Sequence, residues 1–266
     1  LIPLMSSSGY KKGTLDKLIA ESKGIRSEDI LGRDLYLVNR QEPVIWGVGH
    51  QFVSAPRLDD LECAFISALS LIRSDNDRAV NVFCCFDNEE VGSNTKQGAM
   101  STFLSDTLKR INVCLGRDSE GYMRAVSGSF MLSCDNAHAV HPNHPEKADA
   151  ENAVYLNKGI AIKENAAQKY MTDAFSRAIV RELCDRHGIP FQSYSNRSDM
   201  AGGSTLGNLS NIEVSMHGAD IGLAQLAMHS SYETAGSIDI SFMSEALTAF
   251  YNSNIIISES DSAVIR

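Results

Sequence analysis

The sequence predicts an α/β fold in which a mostly parallel sheet is flanked by helices. Apolar residues within 61–72 recur at the spacing of an amphipathic helix. From about Gln51 onward, helical patterns of this kind alternate with short apolar runs that are typical of buried strands. Elements in this alternation normally form a mostly parallel sheet that is covered on both faces.

Residues 1–50 differ in pattern from the rest of the chain and predict only small elements. A short helix is expected at 15–21, and a single helical turn at 27–30. Short strands are expected at 35–38 and 44–46, on either side of a polar turn.

The middle of the chain continues the α/β order after the helix at 61–72. The apolar run at 79–86 predicts a fully buried strand. Residues 100–111 have the spacing of a second helix, and residues 127–133 predict the next strand, which ends at Cys134.

The last third repeats the same alternation. Short strands are expected at 159–162 and 212–216. A third helix is expected over 175–183, and the Gly-Ile-Pro sequence at 188–190 is typical of a helix end. A last helix is expected at 240–251.

Composition narrows the class of protein. The 266 residues, 43% of them hydrophobic, suit one large domain, or one domain and part of another. A net charge of −9 argues against nucleic acid or an anionic membrane as a partner. The six cysteines show no C-x-x-C spacing, so we expect reduced thiols and a cytoplasmic location. The chain starts with Leu1 rather than methionine, so we expect that this is not the native start.

The segment 86–93 (FDNEEVGS) is the strongest functional signal. It places two adjacent glutamates, Glu89 and Glu90, in a loop after a predicted strand, where open α/β folds locate their sites. In such a loop one carboxylate could bind a metal while its neighbour moves a proton. The alternative is a solvated acidic turn.

Other acidic residues and histidines also lie at the ends of predicted elements. Asp59 and Asp60 precede the first long helix, Asp135 and His138 follow a predicted strand, and His229 lies in the sequence DIGLAQLAMHS. Carboxylates with imidazoles, in the absence of cysteine pairs, are typical of a hydrolytic zinc or manganese site.

Each of these residues also has a plain structural explanation. Asp59 could cap the helix that follows it, and Asp135 could be an ordinary turn residue. His138 could lie on the surface, and His229 could be a hydrogen-bonded core histidine. The GGST run at 202–205 could be a tight turn, although its backbone donors could also bind an anion.

Four motifs together carry a resemblance to a known family. They are FDNEEVGS, SCDNAHAVHPNHP, SDMAGGSTLGN and DIGLAQLAMHS, and the sequence RLDDL precedes them. In this order, across residues 53–250, they resemble the motifs of the aspartyl aminopeptidase family, in its clostridial-type form. This family includes the vacuolar aminopeptidases and consists of dinuclear-zinc exopeptidases. The resemblance implies a phosphorylase/hydrolase-like fold.

The resemblance implies a role for each matching position. Asp59 would bridge two zinc ions, and Glu90 and His229 would complete the protein ligands of one of them. Asp135 would bind the other zinc ion. Glu89 would be the general base that takes a proton from the attacking water.

The resemblance also implies a substrate and an assembly. His138, Lys163 and Tyr170 match family positions near the substrate, and KENAAQKY keeps the family's spacing between the lysine and the tyrosine. The substrate would be a peptide with a free amino terminus. Members of the family commonly form homo-oligomers, often dodecamers.

One family feature is missing. The family has a further histidine ligand in an S-H-T-D-like motif, but the only histidine before His138 is His50, in a context that does not match. We therefore expect a catalytic domain that is incomplete at its N-terminus. Residues 1–50 would be a remnant of the inserted lid domain, and residues 51–266 the C-terminal part of the zinc aminopeptidase catalytic domain.

The sequence thus predicts a metallo-aminopeptidase with a dinuclear zinc site and a glutamate base. The alternative is a truncated, catalytically inactive chain of the same fold that acts as an assembly or binding subunit. The missing histidine distinguishes the two. A hydrolase of another kind, such as an α/β-hydrolase, is not indicated, because the sequence has no G-x-S-x-G motif.

Overall fold

The computed structural model describes residues 3–7, 9–200, 202–259 and 261–266. They fall into two compact units, one up to Val38 and the other from Asn39 onward. In the described residues, no helix combines the length and the apolar character that crossing a bilayer requires.

The elements follow one another in an α/β order. The helices are α1 (Thr14–Lys23), α2 (Leu58–Arg73), α3 (Phe103–Cys114), α4 (Ser119–Ser127), α5 (Ala174–His187), α6 (Leu206–Ser210) and α7 (Asp239–Asn252). The strands are β1 (Val44–Trp46), β2 (Phe52–Ala55), β3 (Phe130–Cys134), β4 (Ala137–His138), β5 (Ile160–Lys163), β6 (Phe191–Tyr194), β7 (His217–Gly222), β8 (Ala224–Leu226), β9 (Glu233–Gly236), β10 (Ile255–Glu259) and β11 (Ser262–Ile265).

The smaller unit contains α1 and one 3-10 turn at Ser27–Asp29. The helix lies between Gly13 and Gly24, both of which have left-handed backbone angles. Both elements were predicted. The strand predicted at 35–38 is wrong, because these residues pair with no described strand and all four side chains are exposed. An extended segment without a backbone partner is not stable as a strand.

Two sheets form the framework of the larger unit, and the α/β class is confirmed. The four-stranded sheet has the order β3-β7-β5-β6. Its β3–β7 and β5–β6 pairings are parallel, whereas β5 and β7 are antiparallel. The five-stranded sheet has the order β1-β2-β9-β8-β4, and only its β4–β8 pairing is parallel. The mostly parallel sheet that the sequence predicts is therefore the four-stranded one.

The main core lies between the four-stranded sheet and three helices. Its buried side chains come from α2, α5 and α7 and from the strands beneath them; they include Ile66, Val180, Leu247, Ile162 and Ile221. The predicted helices at 61–72, 175–183 and 240–251 thus lie within observed helices that contribute to the core.

The buried face of α2 is not the one that the apolar spacing indicates. The periodic apolar face includes Phe65 and Ile72, but these side chains are 68% and 78% exposed. The buried face instead carries Cys63 and Ile66. Both faces of this helix are apolar, so periodicity alone could not show which of them is buried.

The predicted buried strand at 79–86 is wrong. No described strand pairs with this segment, and Val80 and Val82 are exposed. A side chain holds this segment instead: the Asn81 amide donates a hydrogen bond to the carbonyl oxygen of Tyr251. Because a strand requires a backbone partner, an apolar sequence was not sufficient here.

Two other predicted strands differ from the structure. The strand predicted at 127–133 begins only at Phe130, because helix α4 extends to Ser127. The strand predicted at 212–216 is wrong. There, the Asn211 side chain accepts the backbone N–H of Met216 and holds a turn, and β7 follows.

Candidate metal centre

Asp59 enters the site from the first turn of α2. This turn is not regular helix, since Asp59 has φ −83° and ψ 116°. Asp59 does not cap the helix, whose N-cap residue is Arg57. Its side chain is 3% exposed. Its Oδ1 atom is buried and has no hydrogen-bond partner among the described residues. A buried oxygen without a donor is costly unless a cation or a water molecule satisfies it.

Glu89 and Glu90 lie on a short 3-10 turn, Glu89–Val91. Asn88, with a left-handed backbone, leads into this turn, and its carbonyl oxygen accepts the backbone N–H of Ser93. The loop therefore positions both carboxylates although no strand precedes it.

His229 follows β8 and brings an imidazole to the two carboxylates. Its Nε2 atom lies 3.2 Å from Oδ2 of Asp59 and 3.1 Å from Oε2 of Glu90. The side chain is 59% exposed, which is unlike a core histidine. One ligand atom from each of the three residues lies within 4.8 Å of the other two.

A second group of potential ligands shares Asp59. It contains Asp59, Asp60 and Asp135, again with ligand atoms within 4.8 Å of one another. Asp135 follows the last residue of β3. Asp59 therefore belongs to both groups, as a bridging carboxylate would. Neither group among the described residues contains His50.

Burial and neighbouring carboxylates raise the pKa values of three acidic residues in this site. Burial and the negative charge of Asp135 raise the pKa of Asp59 to about 9. Burial and Asp135 also raise the pKa of Asp60. Burial, followed by Asp135 and Glu90, raises the pKa of Glu89 to about 7. A bound cation would relieve this repulsion and leave the carboxylates ionised.

These donors fit zinc. Imidazole nitrogen and carboxylate oxygen are ordinary zinc ligands, and the unpartnered oxygen of Asp59 is available to a metal.

Lys163 is the most enclosed of the three predicted substrate residues. Its side chain is 2% exposed, and Nζ donates to Oδ2 and the backbone oxygen of Asp135 and to the backbone oxygen of Asn136. Burial alone would lower its pKa, but Asp135 and Tyr170 outweigh burial and raise it. The ammonium therefore faces Asp135 rather than solvent.

His138 and Tyr170 lie beside these groups. The His138 ring lies 6.5 Å from that of His229, and burial, followed by the charges of His229 and Lys163, lowers its pKa. The Tyr170 ring lies 4.9 Å from Nζ of Lys163.

One cavity of about 830 Å³ gathers all the sequence-predicted site residues. They line it together: Asp59, Glu89, Glu90, Asp135, His138, Lys163, Tyr170 and His229. The run at 202–205 lines the same cavity. The arrangement can bind a cation at one end and a ligand of peptide size beside it.

Sequence reasoning missed Glu233. This residue, at the start of β9, is buried and accepts hydrogen bonds from the backbones of Asp59 and His229. A glutamate at the start of the strand sequence ETAG, four residues after His229, was the available signal.

Comparison with known proteins places the chain in one family. The family model described as aminopeptidase I zinc metalloprotease (M18) matches residues 5–251. A probable M18 family aminopeptidase 2 of Clostridium acetobutylicum is 42% identical over 252 residues. The match covers 95% of this chain and 58% of that protein. This chain therefore spans little more than half of that relative's length.

Solved structures agree with the sequence match. The M18 family aminopeptidase of Thermotoga maritima superposes with a TM-score of 0.82 at 27% identity, over 94% of this chain and 57% of that one. The S. cerevisiae mApe1 dodecamer gives a TM-score of 0.73 at 27% identity, over 89% and 54% of the two chains.

Proposed function

This chain belongs to the M18 family of zinc metalloproteases, and we propose that it forms the metal-binding part of an aminopeptidase that removes residues from the amino terminus of peptides. The observation that carries the proposal is the shared cavity, because all eight residues predicted from the motifs line it. Residues this far apart in sequence have no other evident reason to meet at one cavity.

We propose that two zinc ions bind at the floor of this cavity. Asp59, Glu90 and His229 would hold one ion, and Asp59 and Asp135 would contribute to the other, in keeping with the two groups that share Asp59. When bound, zinc polarises a peptide carbonyl and lowers the pKa of a coordinated water.

Glu89 is the proposed general base. It is adjacent to a proposed ligand and lines the cavity, so its carboxylate can reach a water that is held there. The same group can then deliver the proton to the leaving amine.

The cavity wall is the proposed substrate site. His138 and Tyr170 line it beside the metal ligands and would contact the first residue of the peptide. Lys163 was predicted to contact substrate as well. Since its ammonium donates to Asp135 and Asn136, we propose that it acts on substrate through Asp135.

The remaining features are proposed from family membership. We propose a cytoplasmic homo-oligomer, with the dodecamer as its form, because the mApe1 structure is a dodecamer. We also propose that residues 1–50 belong to a lid domain and residues 51–266 to the catalytic domain.

A matched pair of peptides tests the proposed activity. A protein of the relatives' full length that contains this chain is assayed on one short peptide with a free amino terminus and on the same peptide acetylated there. We expect zinc-dependent release of the first residue from the free peptide only, with loss of activity in a chelator. Cleavage of both peptides at an internal bond would refute the aminopeptidase assignment.

A further inference from the structure

Glu233 connects the two segments that supply the most widely separated ligands. Its Oε2 atom accepts the backbone N–H of Asp59 at 3.0 Å, and its Oε1 atom accepts the backbone N–H of His229 at 2.8 Å. The residue is 2% exposed, and no lysine, arginine or histidine in the described part of the chain forms an ion pair with it.

The two amides that Glu233 accepts belong to irregular backbone. Asp59 lies in the non-helical first turn of α2, and His229 has a left-handed backbone with φ 67°. A left-handed conformation is uncommon for residues other than glycine and requires support from its surroundings. Neither amide is satisfied by a regular helix or strand, so both depend on this carboxylate.

We propose that Glu233 is a positioning residue for the metal centre. With one oxygen on each amide, it fixes the distance between the Asp59 and His229 backbones, and thereby between their side chains. Its buried negative charge also favours a cation in the same site. Removing a group that holds a metal ligand in place typically weakens metal affinity by about 10–100-fold. This inference rests on the proposed zinc site.

Asp239 offers a matched control. It is also a fully buried carboxylate, and its two oxygens accept the backbone N–H groups of Asn157 and Gly159, at 2.5 and 2.9 Å. Neither of those residues is a proposed ligand. Like Glu233→Gln, Asp239→Asn leaves one backbone amide facing an NH₂ group, but it does so away from the proposed ligands.

The test measures zinc affinity by competition with a chromogenic chelator, on a protein of the relatives' full length that contains this chain. Glu233→Gln keeps the size of the side chain but leaves one amide facing an NH₂ group. We expect its zinc Kd to rise by roughly 10–100-fold, while that of Asp239→Asn stays at the wild-type value. The visible spectrum of bound Co²⁺ should change in Glu233→Gln alone, because the ligand geometry relaxes.

Three outcomes would overturn the proposal. They are an unchanged Kd and Co²⁺ spectrum in Glu233→Gln, an equal loss of affinity in Asp239→Asn, and failure of both Glu233→Gln and Glu233→Asp to fold while Asp239→Asn folds. If only Glu233→Gln fails to fold, Glu233→Asp takes its place with the same expected loss, because the shorter side chain cannot reach both amides. A wild-type chain that binds no zinc would instead refute the proposed metal site itself.

Discussion

The carboxylate of Asp59 lies 3.2 Å from Nε2 of His229, although one residue follows β2 and the other follows β8. Glu90 completes the group at 3.1 Å from the same nitrogen. The three potential metal ligands already lie close together, so a cation that binds there does not have to bring them into place. Such preorganisation lowers the entropic cost of binding.

The Glu89 carboxylate should be required for turnover but not for metal binding. In a full-length protein, Glu89→Gln should retain its zinc and lose about 10²–10⁴-fold in rate, since only the proton carrier is removed. Elemental analysis beside a peptide hydrolysis assay checks this. Glu182→Gln, on an exposed position of α5, is the control. Loss of zinc from Glu89→Gln would show that Glu89 and Glu90 have exchanged roles.

The Glu90 carboxylate should be required for metal binding. Glu90→Ala removes one of the three donors around His229, so zinc bound by the chain should fall, together with any activity. Zinc content after dialysis against a weak chelator is the measurement, with Glu182→Ala as the control. Full retention of zinc would exclude Glu90 as a ligand.

The 266-residue chain alone should bind one zinc ion tightly and hydrolyse peptides poorly. Its second group of ligands consists of carboxylates only, and the Lys163 ammonium, 2.9 Å from Asp135, repels a cation there. Isothermal titration with zinc gives the stoichiometry. Two tight sites with brisk hydrolysis would mean that another residue supplies the missing ligand, and His50 would be the first to mutate.

The exposed apolar face of α2 should promote self-association of the chain. Replacing Phe65 and Ile72 together by glutamine should lower light scattering and leave the melting temperature nearly unchanged, because both side chains are mostly exposed. Ile66→Gln is the contrasting variant, since Ile66 is 4% exposed and its replacement should unfold the chain. A large fall in melting temperature of the double variant would show that this face is buried.

Glu62 should make stability depend on pH. Burial raises its pKa from 4.5 to about 7, so the folded chain holds this proton more tightly than the unfolded chain does. The stabilisation is complete below pH 4.5 and is lost as the pH rises through about 7. Glu62→Gln should match the wild type at low pH and exceed its free energy of unfolding at pH 8 by up to about 3 kcal/mol.

Urea unfolding at pH 4.5 and pH 8, with a chelator present, measures this difference. The exposed variant Glu182→Gln should show no comparable change. An equal effect of Glu62→Gln at both pH values would mean that this carboxyl does not take up a proton on folding.

Local patterns predicted the helices α1, α2, α3, α5 and α7 but missed α4 and α6, and they did not show which face of a helix is buried. The spacing in 61–72 predicts a helix, yet Phe65 is exposed and Ile66 is buried, because that choice depends on the neighbours of α2. The same limit explains why the strand predicted at 79–86 was wrong. An apolar segment forms a strand only if another strand pairs with it, and the local sequence does not show whether one does.

The candidate site was predictable where a motif carried it. Glu90 and His229 lie in long motifs, and the structure brings them together. Glu233 was not predicted, because its role depends on a backbone contact to Asp59, which is distant in sequence, as well as on the contact to nearby His229. The contact to Asp59 follows from the β2–β9 pairing, which leaves no local pattern.

The pairing of β2 with β9 also sets the order of events during biosynthesis. Ala55 lies opposite Glu233, so a ribosome that has made β2 must still make most of the chain before β9 exists. At about 5–20 residues per second, the delay is roughly 10–40 s. During that time β2 lacks β9, the neighbouring strand that carries Glu233. The proposed metal centre therefore lacks this support until translation has passed β9.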